Sequence, residues 1–387
     1  MRIPHPQQSF SASQLHNQVL DHLEPYLSWT TEGYRIHTHM TLDILLKAAV
    51  EGTSLEAVCE DTLGMVSSNG LREQLTQALE EMTLREHEQE MNTALASALP
   101  MGMRRNRVQL AMDWHDEPFY GKTPLLLSYT CRGQAKAGTT HFFRVASVCV
   151  IEGDLRLTVA LSYVLPEDTI EAVVERLLHR LTQLGFHQTI LMMDKGFCSG
   201  AVVRLLQQRH QKAVLACPIR GKTGGTKALC KGRRSYTTTY TFTDGTTAQL
   251  VVVATCVPDK QGKRRRKWLL FVTLGLSWSP KQVYHRYRRR FGIECSYRIL
   301  RQSRAFSNSR QPMLRFFLLG LALLLQNVWI FVRWFVAHIP GRGPRRLDAT
   351  LFRFHAFKCL LRRAIERFYP PATVIGAYQL PPQSVIH

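Results

Sequence analysis

No two of the nine cysteines in this 387-residue chain form a C-x-x-C pair; they are scattered from Cys59 to Cys359. Such spacing offers neither a zinc-site pattern nor a disulfide framework, so reduced thiols in a cytosolic setting are expected. The opening residues, MRIPHPQQSF, lack the apolar run of a signal peptide. No long low-complexity run is present. Acid is scarce, with 29 Asp+Glu against 50 Lys+Arg and a formal net charge of +21. The scarcity is uneven: residues 1–105 hold 7 Lys+Arg against 14 Asp+Glu, and the remainder 43 against 15. A basic excess of that size implies a polyanionic partner. Because arginines and aromatics are interleaved, and not segregated on one amphipathic helix, nucleic acid is favoured over an anionic membrane surface.

The chain has a single long apolar run. Phe316 to Val332 reads FFLLGLALLLQNVWIFV, nearly long enough to cross a bilayer. Gln326 and Asn327 interrupt it, Arg315 and Arg333 bracket it, and no inside–outside charge bias follows. A helix apolar on every face is also what a buried central helix looks like. No membrane span is expected.

Residues 1–103 read as an acidic helical domain. Leu42 to Val50 and Leu55 to Leu63, joined by Glu51-Gly52-Thr53-Ser54, form a helix-turn-helix or a packing hairpin, suited to DNA-end recognition or dimerisation. From Arg104 the pattern changes. Val108 to Asp113 is a short strand ending in an acid; His141 to Ile151 and Leu155 to Leu165 form a hairpin about Glu152-Gly153-Asp154. Glu167 to Leu184 is an amphipathic helix. Thr189 to Asp194 is a second apolar strand ending in an acid, followed by a helix to Gln211 and a strand at Ala213 to Cys217. The order predicts an α/β fold: a mixed sheet with flanking helices, its first part spanning 104–217. Residues 218–267 form a Gly-, Thr- and basic-rich β insertion, with a hairpin from Tyr236 to Phe242 and Gln249 to Thr255. The core resumes over 268–310, and a helical region, 311–387, contains the basic loop 341–346.

The densest information lies in YRRRFGIECSYRILR, Tyr287 to Arg301, entered through Ser279-Pro280 as a capping hydroxyl and first-turn proline. As one α-helix it places Tyr287, Arg290, Glu294 and Arg301 within roughly a 60° stripe. One carboxylate among arginines and a phenol suits a surface that holds a metal ion and grips phosphates. Asp113 and Asp194, rigidly held where strands end at a sheet rim, supply two further carboxylates. Side by side they repel unless a cation is shared, and Mg²⁺ or Mn²⁺ prefers such hard oxygen ligands. Asp116 and Glu117 compete with Asp113 for the role, and His115 stands either behind a metal ligand or in packing.

These residues resemble the DDE transposases of bacterial and archaeal insertion sequences, in the group bearing a Y-R-E-K signature. Tyr287, Arg290 and Glu294 match that signature in spacing, with Arg301 in place of its lysine; Asp113 matches the first acid, and Asp194 the second in its D-K-G-F setting. The resemblance covers roughly residues 105–340. It implies an RNase H-like core with a β insertion and two Mg²⁺ ions, replaceable by Mn²⁺, held by Asp113, Asp194 and Glu294 as catalytic and metal-binding residues. It implies cleavage at element ends and strand transfer into target DNA, cut-and-paste and through a DNA hairpin in related members. Tyr287, Arg290, Arg298 and Arg301 would then contact DNA near the cut, Trp268 would stack a flipped base, and Arg264, Arg265, Arg266 and Lys267, with Arg233 and Arg234, would hold flanking duplex. Partners follow as double-stranded DNA and a second copy of the chain, with no small-molecule substrate, in the cytoplasm and on the nucleoid. The alternatives are an RNase H-like metal-dependent nuclease or resolvase without strand transfer, and a non-catalytic DNA-binding derivative.

Overall fold

A computed structural model describes residues 10–28, 36–100, 108–151, 155–187, 189–221, 225–258, 261–339, 346–348 and 350–372, and not the side chains of residues 294–296 and 298. The turn at 152–154 and the basic loop at 341–345 lie outside the described residues.

The N-terminal region is helical. It contains α1 (Ala12–Asp21), α2 (Thr38–Glu51), α3 (Leu55–Glu60), α4 (Ser68–Glu80) and α5 (Leu84–Ser97). Side-chain oxygens start several of these helices: Ser11 with Gln14, and Thr83 with Glu86, form reciprocal capping boxes. Gly52 ends α2 at φ +69°, a conformation that disfavours any residue with a Cβ. The α2–α3 pair packs closely through α2. Residues Met40 through Val50 are all buried, Lys47 donating to Asp61 and Thr62 at 3.2 Å each, while the outward residues of α3 include Glu56 and Glu60.

The catalytic-type core follows as β1 (Gln109–Phe119), α6 (Pro124–Leu127), β2 (Cys131–Lys136), β3 (Thr139–Val150), β4 (Leu157–Val164), α7 (Ile170–Gln183), β5 (Ile190–Met193), α8 (Gly200–Gln208), β6 (Lys212–Cys217), β7 (Tyr236–Thr241), β8 (Thr247–Pro258) and β9 (Arg264–Leu274). Then come α9 (Pro280–Tyr287), α10 (Gly292–Leu300), α11 (Pro312–Val336), the short β10 (His338–Ile339) and β11 (Arg346–Leu347), and α12 (Phe354–Ile365). Among the described residues a nine-stranded mixed sheet runs in the order β2-β3-β1-β5-β6-β9-β8-β7, with β4 also paired to β3. Here is the expected α/β, RNase H-like arrangement of a mixed sheet between helices.

Two strand boundaries differ from the sequence reading. β1 does not end at Asp113 but continues to Phe119, because β3 pairs with it from Leu110↔Val150 to Phe119↔His141. β9 begins at Arg264, not Trp268, because the outer half of β8 offers it partners as far as Pro258↔Arg264. The basic run therefore lies mostly on a strand. The β7–β8 hairpin extends this same sheet through the β8–β9 pairing.

Alternation along the strands divides the core. Leu110, Met112, Leu191 and Met193 pack on one face, with residues of α5, α7, α8 and α11. Ala111, Met192, Val214 and Phe271 pack on the other, against Val283, Tyr287 and Ile293 of the α9–α10 segment. The apolar run lies in α11, about 37 Å long, with 89% of its most apolar 18-residue window buried inside the protein. Asn327, one of the two polar interruptions, accepts from the Thr158 N–H at 2.9 Å and donates to its carbonyl at 2.7 Å. That contact falls where β4 skips a residue against β3, between Ala160 and Thr158. Backbone groups of Thr158 are thus satisfied by a core amide.

Candidate active site

Asp113 and Asp194 are brought together by register. β1 and β5 run parallel, paired from Gln109↔Ile190 to Met112↔Met193. The acids are the residues that immediately follow this last pair, close enough for one arginine to reach both. Asp113 remains in the sheet, opposite Ser147 of β3. Asp194 leaves it and begins the 3-10 turn Lys195–Phe197. The glycine of D-K-G-F is required by close approach: a Cβ on Gly196 would stand 2.7 Å from the Trp114 indole nitrogen. Trp114 in turn stacks on Phe197, centroids 4.0 Å apart and planes 9° from parallel.

Arg290 spans the two carboxylates. One terminal nitrogen donates to Asp113 at 2.8 Å and the other lies 3.4 Å from Asp194. The residue is 5% exposed. To reach inward it sits in a 3-10 turn, Arg288–Phe291, which interrupts the single α-helix expected from Tyr287 to Arg301. Ser279 caps α9 as expected, with Pro280 in its first turn. Tyr287 is buried, its ring 5.6 Å from the Arg290 guanidinium, and its hydroxyl donates to the Met193 carbonyl at 3.1 Å. That bond pins the end of β5, one residue before Asp194.

Glu294 lies on α10, one turn beyond Arg290; its side chain and that of Arg298 are outside the described residues. The helix there is fixed from both ends. Arg290 holds it to the two acids, and the Tyr297 hydroxyl meets Ser147, the register partner of Asp113, at 2.5 Å.

Burial pushes the Asp113 carboxyl up to about 6; Arg290 opposes that rise and the Asp194 charge reinforces it. Two carboxylates here face one guanidinium, a net negative site to which a hard divalent cation is suited. Among the described residues no three metal-ligating side chains cluster. Asp113 and Asp194 fit such an ion as two of its ligands.

The competing acids are elsewhere. Asp116 points to the opposite face and pairs twice with Arg144, at 2.6 and 2.8 Å. Glu117 accepts from Arg304 and Arg315. His115 is a packing residue: its ring lies 5.0 Å from that of Tyr297, and burial, aided by the Arg304 charge, pushes its pKa down to about 4.

A cleft of about 430 Å³ opens beside the acids and is lined by Asp194, Arg290, Arg288, Phe291, Lys267 and Trp268. So Trp268 and Lys267 reach the site, whereas Arg264, Arg265 and Arg266 are exposed on the outer part of β9. Arg301 is not in this cleft. It lines a different groove with Glu117, Arg304 and Arg315. Tyr297 could have been found by its helical spacing of three from Glu294. The Glu117–Arg315 contact spans 198 residues, and no local pattern announces it.

The family model of the transposase DDE domain matches residues 110–325, more than half of the chain. No curated protein is found to match. Among solved structures the fold is similar to a piggyBac transposase, determined as a synaptic complex with hairpin DNA. The TM-score is 0.56 at 11% identity, covering 93% of this chain and 80% of that one.

Proposed function

The chain belongs to the transposases with a DDE domain, and on that premise we propose that it cuts DNA at the ends of its own element and joins them to target DNA, using Asp113, Asp194 and Glu294 as the acid trio. The observation that carries the assignment is the pair Asp113 and Asp194, each just past the last β1–β5 register pair, bridged by a buried arginine from the 3-10 turn that leads into the helix bearing Glu294.

The three carboxylates would hold two divalent ions, Mg²⁺ first and Mn²⁺ in substitution. Bound there, the ions supply an activated water or 3′-hydroxyl and neutralise the leaving oxygen of an in-line phosphodiester displacement. The chain does the rest. Arg290, relieved of one carboxylate, presents a planar fork suited to two non-bridging phosphate oxygens. Tyr287 acts through position, holding the end of β5 so that Asp194 stays level with Asp113. Lys267 and Arg288 bind the backbone in the cleft, and Arg298 and Arg301 bind it beyond. Arg264, Arg265 and Arg266, with Arg233 and Arg234, hold flanking duplex. Trp268, at the cleft wall, stacks a base extruded from the helix as the second strand is cut through a hairpin. The active form is a homodimer spanning two DNA ends, a reading supported by the synaptic assembly named for the piggyBac structure.

The test is a supercoiled plasmid carrying the element, incubated with Mg²⁺ or with EDTA. Cleavage should require the metal and fall on the order of a thousandfold in Asp113→Asn, Asp194→Asn and Glu294→Gln, since several kcal/mol of transition-state stabilisation are removed. Undiminished cleavage by Glu294→Gln would refute the trio. Tight DNA binding without cleavage by the wild type would indicate the non-catalytic derivative.

A further inference from the structure

The groove that contains Arg301 has a character of its own. Its volume is about 660 Å³, and its lining includes Arg301, Arg304, Arg310 and Arg315 around a single acid, Glu117. Arg304 and Arg315 both donate to the same Glu117 oxygen, so one negative charge faces two cations. Arg301 and Arg310 are exposed and make no ion pair among the described residues. A concave surface with this excess of guanidinium favours an anionic ligand.

Two aromatic rings mark its wall. Phe306 is 58% exposed and Tyr120 61% exposed. Both are anchored despite their exposure. The Phe306 N–H donates to the Thr53 carbonyl at 2.8 Å, fixing its backbone to the α2–α3 turn. The Tyr120 hydroxyl donates to the Ala137 carbonyl at 2.8 Å. Exposed aromatic rings beside arginines form a stacking platform for unpaired bases, a feature that duplex DNA, with its bases already stacked, does not use. The position also fits a strand leaving the acids. Glu117 is four residues past Asp113 on β1 and on the same face, about 13 Å away along the strand.

We propose that this groove binds an unpaired DNA strand, with its phosphates on Arg301, Arg304 and Arg310 and its bases stacked on Phe306 and Tyr120. The proposal rests on the transposase reading only in taking that strand to be one that runs on from the acid pair. The α2–α3 turn thereby acquires a role as a support for the groove, without reading sequence.

The experiment measures fluorescence anisotropy of a labelled oligothymidine, about a dozen nucleotides long, and of a mixed-sequence duplex of equal length. Both are titrated in EDTA with wild type, Phe306→Ala, Phe306→Trp and Arg310→Ala. Phe306→Ala should weaken oligothymidine binding about tenfold, the loss of one stacked base, and change duplex binding less than about twofold. Phe306→Trp should retain the affinity. Arg310→Ala should reduce the slope of log affinity against log salt by about 0.7. Unchanged oligothymidine binding in both alanine variants, an equal loss on duplex, or no binding of oligothymidine by the wild type would overturn the proposal. Metal-dependent nicking by the wild type is followed in parallel; its failure alongside a groove that binds as expected refutes the catalytic reading alone.

Discussion

Asp113→Asn is expected to stabilise the metal-free protein at neutral pH while abolishing cleavage. The Asp113 carboxyl sits at about 6 instead of its ordinary 3.8, chiefly because it is buried. The proton is therefore held more tightly in the folded chain than in the unfolded one. The stability this confers is complete below about pH 4 and is lost as the pH rises through about 6. Above that, the folded protein carries an ionised, poorly solvated carboxylate beside Asp194. About two pH units at roughly 1.4 kcal/mol each amount to about 3 kcal/mol. Asparagine resembles the protonated acid in shape and still accepts from Arg290, so it removes most of that cost. By the usual entropy of unfolding per residue, a chain of this length should gain about 3–4 °C in Tm. The assay is thermal or urea denaturation in EDTA at pH 7.5 and pH 4.5. The variant should be more stable than wild type at pH 7.5, with the gap closing at pH 4.5. Mg²⁺ at pH 7.5 should stabilise the wild type more than the variant, since the ion binds the folded carboxylates. A variant no more stable than wild type at pH 7.5, or a gap independent of pH, would refute the reasoning.

Two further substitutions probe the scaffold. Gly196→Ala forces a Cβ to within 2.7 Å of the Trp114 indole nitrogen, which should cost about 1–3 kcal/mol and, by displacing the Asp194 turn, lower plasmid cleavage more than global stability; equal cleavage would show that the turn relaxes freely. Asn327→Leu deprives the Thr158 N–H and carbonyl of their partner in the core and should cost about 2–4 kcal/mol in urea denaturation, where an unchanged midpoint would show that the bulge finds another partner.

Much of the fold was legible because its signals are local. The apolar run ending at Met193, the amphipathic period of α7 and the Ser279-Pro280 start each lie within a few residues, and each element appears where expected. What escaped is what distant chain segments impose. Asp113 looked like a strand end because the apolar run stops there, yet β3 carries the strand six residues further. The core strand looked as if it began at Trp268, yet β8 pairs with it back to Arg264. The uniform helix through Tyr287 to Arg301 follows from its period, but a 3-10 turn breaks it where Arg290 meets two carboxylates from distant strands.

The sequence by itself determined the chemistry on offer: which carboxylates stand at ends of apolar runs, which helix carries the arginines and Glu294, and that the basic excess faces a polyanion. Those are properties of residue type and short-range spacing, and they survive any arrangement of the parts. Only the tertiary structure decided which groups meet. Parallel register makes Asp113 and Asp194 neighbours and alternation sends Asp116 to the other face. Arg301 falls in a groove with Glu117, Arg304 and Arg315, apart from the cleft of Asp194 and Trp268. Sheet pairing and helix docking join positions nearly two hundred residues apart, and that choice is made by packing energies that no local pattern records.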